Sequence, residues 1–191
     1  MEFVFATGNL HKLQEAREIL GTGVMLKSLQ DLRFSGDIPE EQPTIEGNAI
    51  QKAQFIYDRF GADCFADDTG LEIDALNGRP GVYSARYAGE GCSFQDNVDK
   101  VLRELEGCEN RSARFRCVIA LIVKGEVHTF EGVVEGNILT APAGEMGFGY
   151  DPVFQPVESE LSFAQMSADQ KHAISHRGRA LERFHRFLQS Q

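Results

Sequence analysis

The sequence has no Cys-x-x-Cys pair, no basic stretch, no internal repeat and no low-complexity segment, and none of its apolar runs nears the roughly 20 residues a membrane span needs. Each absence removes a class. The four cysteines, Cys64, Cys92, Cys108 and Cys117, sit in dissimilar contexts, so neither a zinc site nor a disulfide framework is expected and they read as reduced, structural thiols. Positive charge is scarce: 19 Lys and Arg stand against 29 Asp and Glu, a formal net charge of -10. That excludes a broad footprint on a nucleic-acid polymer or a membrane surface, both of which rely on clustered cations to meet phosphate. An anionic ligand would need a local basic pocket. The start, Met1-Glu2-Phe3, shows no basic region followed by an apolar core, so no signal peptide and a cytoplasmic location are expected. With 42% hydrophobic and 25% charged residues, disorder is not the main state. The 191 residues suit one domain, residues 1 to 191, with room for two lobes and a self-sufficient core.

What is present is organised around Phe65-Ala66-Asp67-Asp68-Thr69-Gly70-Leu71-Glu72-Ile73. Adjacent residues of a strand face opposite sides, so at a strand end one of Asp67 and Asp68 can face a cleft while the other braces the turn. Such a pair beside a threonine suits Mg²⁺, which takes one or two carboxylates and keeps water and substrate phosphates as its other ligands. An Asx turn before Gly70 is the competing reading.

Upstream, the strand-like run Phe3 to Ala6 stops at Thr7-Gly8-Asn9, and Leu10, Leu13, Ala16 and Leu20 then recur at helical spacing. A glycine turn leading into a helix N-terminus is an anion site, and Lys12 adds a charge that reaches a phosphate. The glycine spacing of a Walker loop is missing. Asn9 equally reads as a plain N-cap. A weak strand at 24 to 29 precedes a proline-pinned acidic loop, 37 to 43, whose Glu40 and Glu41 read first as solvated charges. Ile45, Ala49, Ala53, Ile56 and Phe60 mark a helix face with Lys52 on its edge, where it either snorkels or points into a site.

Ser93 and Asp96 form a capping box before an amphipathic helix, and Phe115 to Val123 pairs with Val127 to Val134 through Lys124-Gly125 as a β-hairpin. Residues 136 to 144 read as irregular. Gly147-Phe148-Gly149-Tyr150-Asp151 joins glycines for close backbone approach, aromatics for stacking and a carboxylate acceptor. The other reading is a turn packed by its own aromatics. Ser167 and Gln170 cap a short helix that carries Lys171 in its first turn, against the macrodipole, which points to an anion nearby. Ser175-His176-Arg177-Gly178 breaks that helix, and Ala180, Leu181, Phe184, Phe187 and Leu188 define a last one. The residues alone describe a metal-dependent, phosphate-processing α/β enzyme.

Five segments, Thr7-Gly8-Asn9-x-x-Lys12, Ala66 to Leu71, Pro80 to Tyr87, Gly147 to Phe154 and Ala173 to Gly178, resemble in order the signatures of the noncanonical purine nucleoside triphosphate pyrophosphatases, the inosine triphosphatase family. The resemblance spans the chain from Phe3 to the last helix. It implies an α/β fold with a long curved mixed β-sheet, flanking helices and two lobes around a central cleft, and a homodimer. It implies Mg²⁺-dependent hydrolysis of ITP, dITP and XTP to the monophosphate and pyrophosphate, which cleans the nucleotide pool. By position, Thr7, Gly8, Asn9 and Lys12 would hold the triphosphate with help from Lys52 and Lys171. Asp68 would be the catalytic carboxylate and Thr69 a substrate contact. Phe148, Gly149, Tyr150, Asp151, His176 and Arg177 would form the base pocket. Glu40 and Asp68 would hold the metal.

Two departures matter. Glu40-Glu41-Gln42-Pro43-Thr44 stands where the family often shows Glu-Thr-Gly-x-Thr, and Gly47 stands where Glu is frequent. Counting back from Thr44 favours Glu40 over Glu41 as metal ligand. Two other classes remain on the residues: a house-cleaning enzyme for pyrimidine nucleotides, which should lack the Ser-His-Arg motif, and a nucleotide sensor, which would not need the acidic pair.

Overall fold

The computed structural model describes residues 1 to 190. The apolar run at the N-terminus forms β1 (Glu2–Phe5), and the helical spacing after it forms α1 (Leu10–Leu20), which buries Leu13, Ala16 and Leu20. Then follow β2 (Met25–Lys27), α2 (Ile45–Phe60) and β3 (Cys64–Ile73). The capping box at Ser93 and Asp96 opens α3 (Phe94–Glu104). β4 (Ser112–Val123) and β5 (Glu126–Ile138) are joined by Lys124-Gly125, both at positive φ, the backbone that a two-residue hairpin turn requires. β6 (Phe154–Pro156), α4 (Ala168–Ile174) and α5 (His176–Gln189) complete the chain.

The six strands form one sheet in the order β2-β1-β3-β4-β5-β6. It is mixed: β1 runs parallel to β2 and β3, while β5 and β6 are antiparallel. The expected mixed sheet with flanking helices is therefore present. Two details differ from the sequence reading. β5 continues through Gly136 to Ile138, where irregular chain is expected, because Gly136 lets the backbone of β6 approach: a Cβ there would lie 2.5 Å from the Gln155 carbonyl oxygen. And Ser175, rather than the whole stretch to Gly178, breaks the helix. Its extended ψ of 156° ends α4, and α5 starts at once with His176 and Arg177 in its first turn.

The chain divides into two compact units, and β3, β4 and β5 contribute residues to both. The first comprises 1 to 68, 117 to 132 and the chain from Arg177 onward. Its core gathers Phe3, Phe5 and Phe65 from the sheet with Leu13 and Leu20 of α1 and Phe184 and Leu188 of α5. Phe5 and Phe65 stack with centroids 4.4 Å apart. Removing one such buried ring costs about 3 to 5 kcal/mol. The second unit, 69 to 116 and 133 to 176, packs Leu71, Ile73, Val98 and Val101 with Phe115, Phe154 and Phe163.

The two departures from the family pattern meet in space. α2 is capped by Thr44, whose hydroxyl accepts from the Gly47 amide at 3.0 Å, and Gly61 closes it in the left-handed conformation. A Cβ at Gly47 would lie 2.9 Å from both Gln42 Cβ and Thr44 Oγ1, closer than Cβ atoms pack. Gln42 thus needs glycine at position 47, and the loop of Glu40 and Glu41 is shaped by that fit. Ala in place of Gly near a helix start normally gains up to about 1 kcal/mol. Here Gly47→Ala should lower stability by about 1 kcal/mol, the usual scale of overpacking, and lower it less in a Gln42→Gly background. Urea midpoints of the four proteins test this, and a stabilising Gly47→Ala in the native background would contradict it.

Candidate functional site

Asp67 and Asp68 lie within β3, not at its end, so the Asx-turn reading is excluded and both residues are strand. Strand alternation sends them to different partners. Asp67, 1% exposed, accepts from Lys12 Nζ at 3.1 Å and from Arg177 Nε at 3.2 Å, with the Cys117 thiol 3.9 Å away. Asp68, 7% exposed, accepts from Asn48 Nδ2 at 3.2 Å and sits 3.5 Å from Lys52 Nζ. Lys52 Nζ also pairs with the Glu40 carboxylate. Of the two readings for Lys52, the site holds: its ammonium is buried against two carboxylates and does not snorkel to solvent.

The electrostatics separate the neighbouring acids. Burial alone would raise the Asp67 carboxyl, but Lys12, Arg177 and Lys52 together outweigh it and hold it well below the usual carboxylate range. For Asp68 burial wins over Lys52 and Lys12, with Glu40 and Asp67 adding repulsion, so its affinity for a proton is raised. Burial disfavours the Lys52 cation, yet Asp68, Asp67 and Glu40 keep it charged. An ionised acid next to a more basic one is the division of labour expected of a structural anchor beside a general base.

At the start of α1 the N-cap reading of Asn9 holds. Its Oδ1 accepts from the amides of His11 at 2.9 Å and Lys12 at 3.3 Å, a complete N-cap, and its own amide donates to Thr7 Oγ1 at 3.1 Å. The loop Thr7-Gly8-Asn9 is therefore preformed by its own side chains, and it presents Lys12 toward Asp67. A phosphate taken up here would meet the Lys12 ammonium first.

The second unit holds a separate constellation. Lys171 Nζ pairs with Asp151 Oδ2 at 2.8 Å and lies 4.8 Å from the Phe148 ring centroid, both charged groups about 5% exposed. The anion that its place in α4 called for is thus Asp151. Asp151 Oδ2 also accepts from the Phe148 amide at 3.0 Å. Gly147, at φ 73°, has no room for a side chain, since a Cβ would fall on the Asp151 carboxylate. The Tyr150 hydroxyl donates to the Ser84 carbonyl at 2.6 Å, which anchors the loop and explains the order of Pro80 to Tyr87. The loop packs the Phe148 ring against a buried ion pair. His176 stacks on Phe115 with centroids 4.6 Å apart.

The sequence-stated residues accordingly fall into two groups. Lys12, Lys52, Glu40, Asp67 and Asp68 come together in the first unit, where Glu40 and not Glu41 meets Lys52; the Glu41 amide is bound by Gln51 Oε1 at 2.9 Å. Phe148, Asp151 and Lys171 come together in the second, and Gly149, at φ 60°, supports their turn. Thr69 follows Asp68 along β3 and is half-buried. Lys171 joins the aromatic loop rather than the phosphate loop, and Arg177 joins Asp67. Two residues that carry these contacts escape sequence reasoning. Asn48 donates to Asp68 while its Oδ1 accepts from the Gln42 amide at 2.8 Å; its signal was a polar residue four before Lys52 on an apolar helix face. Glu15, three after Lys12 on α1, pairs with Arg177 Nη1.

The Asp68 and Glu40 carboxylates form an oxygen-rich corner, and they already share one cation, the Lys52 ammonium. Among the described residues no three His, Cys, Asp or Glu side chains form a cage of their own. A donor set of one or two carboxylates completed by water and phosphate is the one that Mg²⁺ accepts, so these residues fit it.

The model of the Ham1 family matches residues 3 to 187. A protein of Flavobacterium psychrophilum named dITP/XTP pyrophosphatase is 49% identical over 180 residues, covering 94% of this chain and 95% of its own. The solved structure of a HAM1 protein from Coxiella burnetii superposes with a TM-score of 0.91 at 38% identity, covering all of both chains. That of the Staphylococcus aureus Ham1 protein superposes at 0.90 and 38% identity, covering all of this chain and 99% of the other. These are relatives of the kind that the five sequence motifs resemble, and they cover the whole of both units. The chain belongs to the Ham1 family.

Proposed function

We propose that the protein hydrolyses noncanonical purine nucleoside triphosphates, dITP, XTP and ITP, to the monophosphate and pyrophosphate, and so removes them from the nucleotide pool. The observation that carries this reading is the buried corner where Lys52 lies between Asp68 and Glu40, beside Lys12 on Asp67, in a chain whose relatives bear the name dITP/XTP pyrophosphatase. Lys12 and Lys52 neutralise charge that builds on the pyrophosphate as it leaves. Thr7, Gly8 and Asn9 fix the backbone from which Lys12 projects, and Thr69, next along β3, is the substrate contact that the resemblance implies.

Asp68 takes the proton of the attacking water. Its raised basicity and the Asn48 amide that orients it suit a general base. Glu40 and Asp68 would hold Mg²⁺, which when bound polarises phosphoryl oxygens and offsets their charge. For the purine, Phe148 offers a face for stacking, and Lys171, Asp151 and His176, with the backbone of Gly149 and Tyr150, offer polar groups for its edge. A donor that meets O6 is left facing another donor when adenine arrives, and a buried polar group without a partner costs about 1 to 3 kcal/mol. ATP is thereby disfavoured. The motif resemblance implies a second copy of the chain as partner, a homodimer, and a cytoplasmic location; sedimentation at twice the chain mass checks the dimer, and a monomer at working concentration would contradict it.

Two measurements bear on the chemistry. Hydrolysis of XTP in ¹⁸O-water should place the label in the monophosphate, because attack falls on the α-phosphorus; label in orthophosphate would mean γ-phosphate hydrolysis and would remove the assignment. Asp68→Asn should lower kcat by about two to four powers of ten, the usual worth of a positioned general base, in a protein that still folds but melts at a lower temperature because Lys52 loses a carboxylate partner. A variant with near-native kcat would take the base role from Asp68. Glu40→Gln should shift the magnesium concentration at half-maximal rate upward, an effect that Glu41→Gln should not share.

A further inference from the structure

We infer that Phe94 is a second stacking wall for the base beside Phe148, one that favours a bicyclic over a monocyclic base; the inference rests on the purine nucleotide reading of this site. Phe94 opens α3 on the face that carries Val98 and Val101, four and seven residues on. Those two are buried in the core of the second unit, whereas Phe94 overhangs its edge and is 48% exposed. Its ring lies 6.1 Å from that of Phe148, centroid to centroid, with the planes tilted by 45°. Both rings are registered through one short segment. Asn97, a turn into α3 and buried, donates to the Ala85 carbonyl at 3.2 Å and accepts from the Ala88 amide at 2.8 Å. The Tyr150 hydroxyl holds the aromatic loop to the neighbouring Ser84 carbonyl. With the capping box of Ser93 and Asp96 fixing the helix start, the two rings keep their spacing without a ligand.

Stacking uses the face of a base and not its edge, so a second ring adds affinity for every purine alike and leaves the reading of O6 to the polar groups. Two rings side by side extend the apolar surface beyond what one six-membered ring covers. A purine laid on Phe148 reaches Phe94 with its second ring, while a pyrimidine covers Phe148 alone. The bound purine also takes the exposed part of the Phe94 ring out of water, which a smaller base does not. Phe94 thus discriminates by the size of the base. The contact is made equally with the triphosphate and with the monophosphate product, so it acts in binding and not in the chemical step.

The test compares the native chain with Phe94→Ala, Phe94→Leu, Phe94→Tyr and Phe94→Trp. Calorimetric titration with IMP in magnesium chloride should show affinity falling about fivefold or more in Phe94→Ala and Phe94→Leu, the lower end of what stacking on one base is worth, and staying within about twofold of native in Phe94→Tyr. Inorganic pyrophosphate should bind all five proteins alike. In turnover the loss should fall on KM, by the same factor for ITP and ATP, while kcat/KM for ITP over UTP drops. The sequence contains no tryptophan, so the fluorescence of Phe94→Trp reports on position 94 alone. IMP should quench it over the concentration range of its calorimetric binding, and pyrophosphate should leave it unchanged; this arm carries the test if Phe94→Ala does not fold. Native IMP affinity in Phe94→Leu, which keeps an apolar cover over Phe148 without a π-face, would make the role of Phe94 structural only and overturn the proposal, as would a fluorescence that IMP leaves unaltered. A native protein that binds neither IMP nor pyrophosphate and hydrolyses no nucleoside triphosphate would defeat the reading of the site, and the proposal with it; native IMP binding with an unaltered Phe94→Ala defeats only the role of Phe94.

Discussion

The constraint on which the first unit depends is the cost of burying charge. Lys52 and Asp68 are both withdrawn from water, and neither could be so without the other and without Glu40 and Asn48 to complete their bonds. Taking one partner from such a group costs about 3 to 5 kcal/mol, since the remaining charge stays where it is. α2 delivers both Asn48 and Lys52 from one face, one turn apart, so its direction is bound to β3 through Asp68. The Gln42 amide on Asn48 Oδ1 ties the acidic loop to the same point, and the missing side chain at Gly47 lets that loop close. The geometry of the candidate site and local stability are here the same set of contacts.

Asp67 and Asp68 show how a strand divides two chemically identical groups. Alternation gives one to α1 and α5, the other to α2, and the partners on each side decide which stays ionised and which keeps affinity for a proton. The second unit repeats the tactic with a single pair. Asp151 and Lys171 satisfy each other against the Phe148 ring, so that the aromatic loop is ordered before any ligand arrives. Preorganisation of this kind is what selective recognition of a polar base edge needs.

Much of this was legible in the residues. Helix caps at Asn9, Thr44, Ser93 and Ser167 rest on local bonding, and each opens a helix in the expected place. The apolar runs of β1, β3 and β4, and the partner strand β5, followed from their patterns as well. What local pattern could not supply is the choice among partners far apart in sequence. Lys171 and Arg177 are both buried cations near the C-terminus, and only the fold assigns the first to Asp151 and the second to Asp67 and Glu15. Glu15 and Asn48 carry no local signal that assigns them their partners, because what distinguishes them is a contact over 162 and 20 residues of sequence respectively. The extension of β5 past Gly136 was hidden for a related reason: its glycine is required by the approach of β6, which no window around Gly136 contains.

The central claim is that the protein hydrolyses noncanonical purine nucleoside triphosphates to the monophosphate and pyrophosphate and disfavours ATP. The most direct measurement is pyrophosphate release from XTP, dITP, ITP, GTP and ATP under identical conditions with Mg²⁺. The account predicts rapid release from the first three and kcat/KM for ATP lower by about two powers of ten or more, the discrimination expected when pocket donors lose their acceptor. Equal rates for ATP and ITP, or release of orthophosphate in place of pyrophosphate, would contradict it.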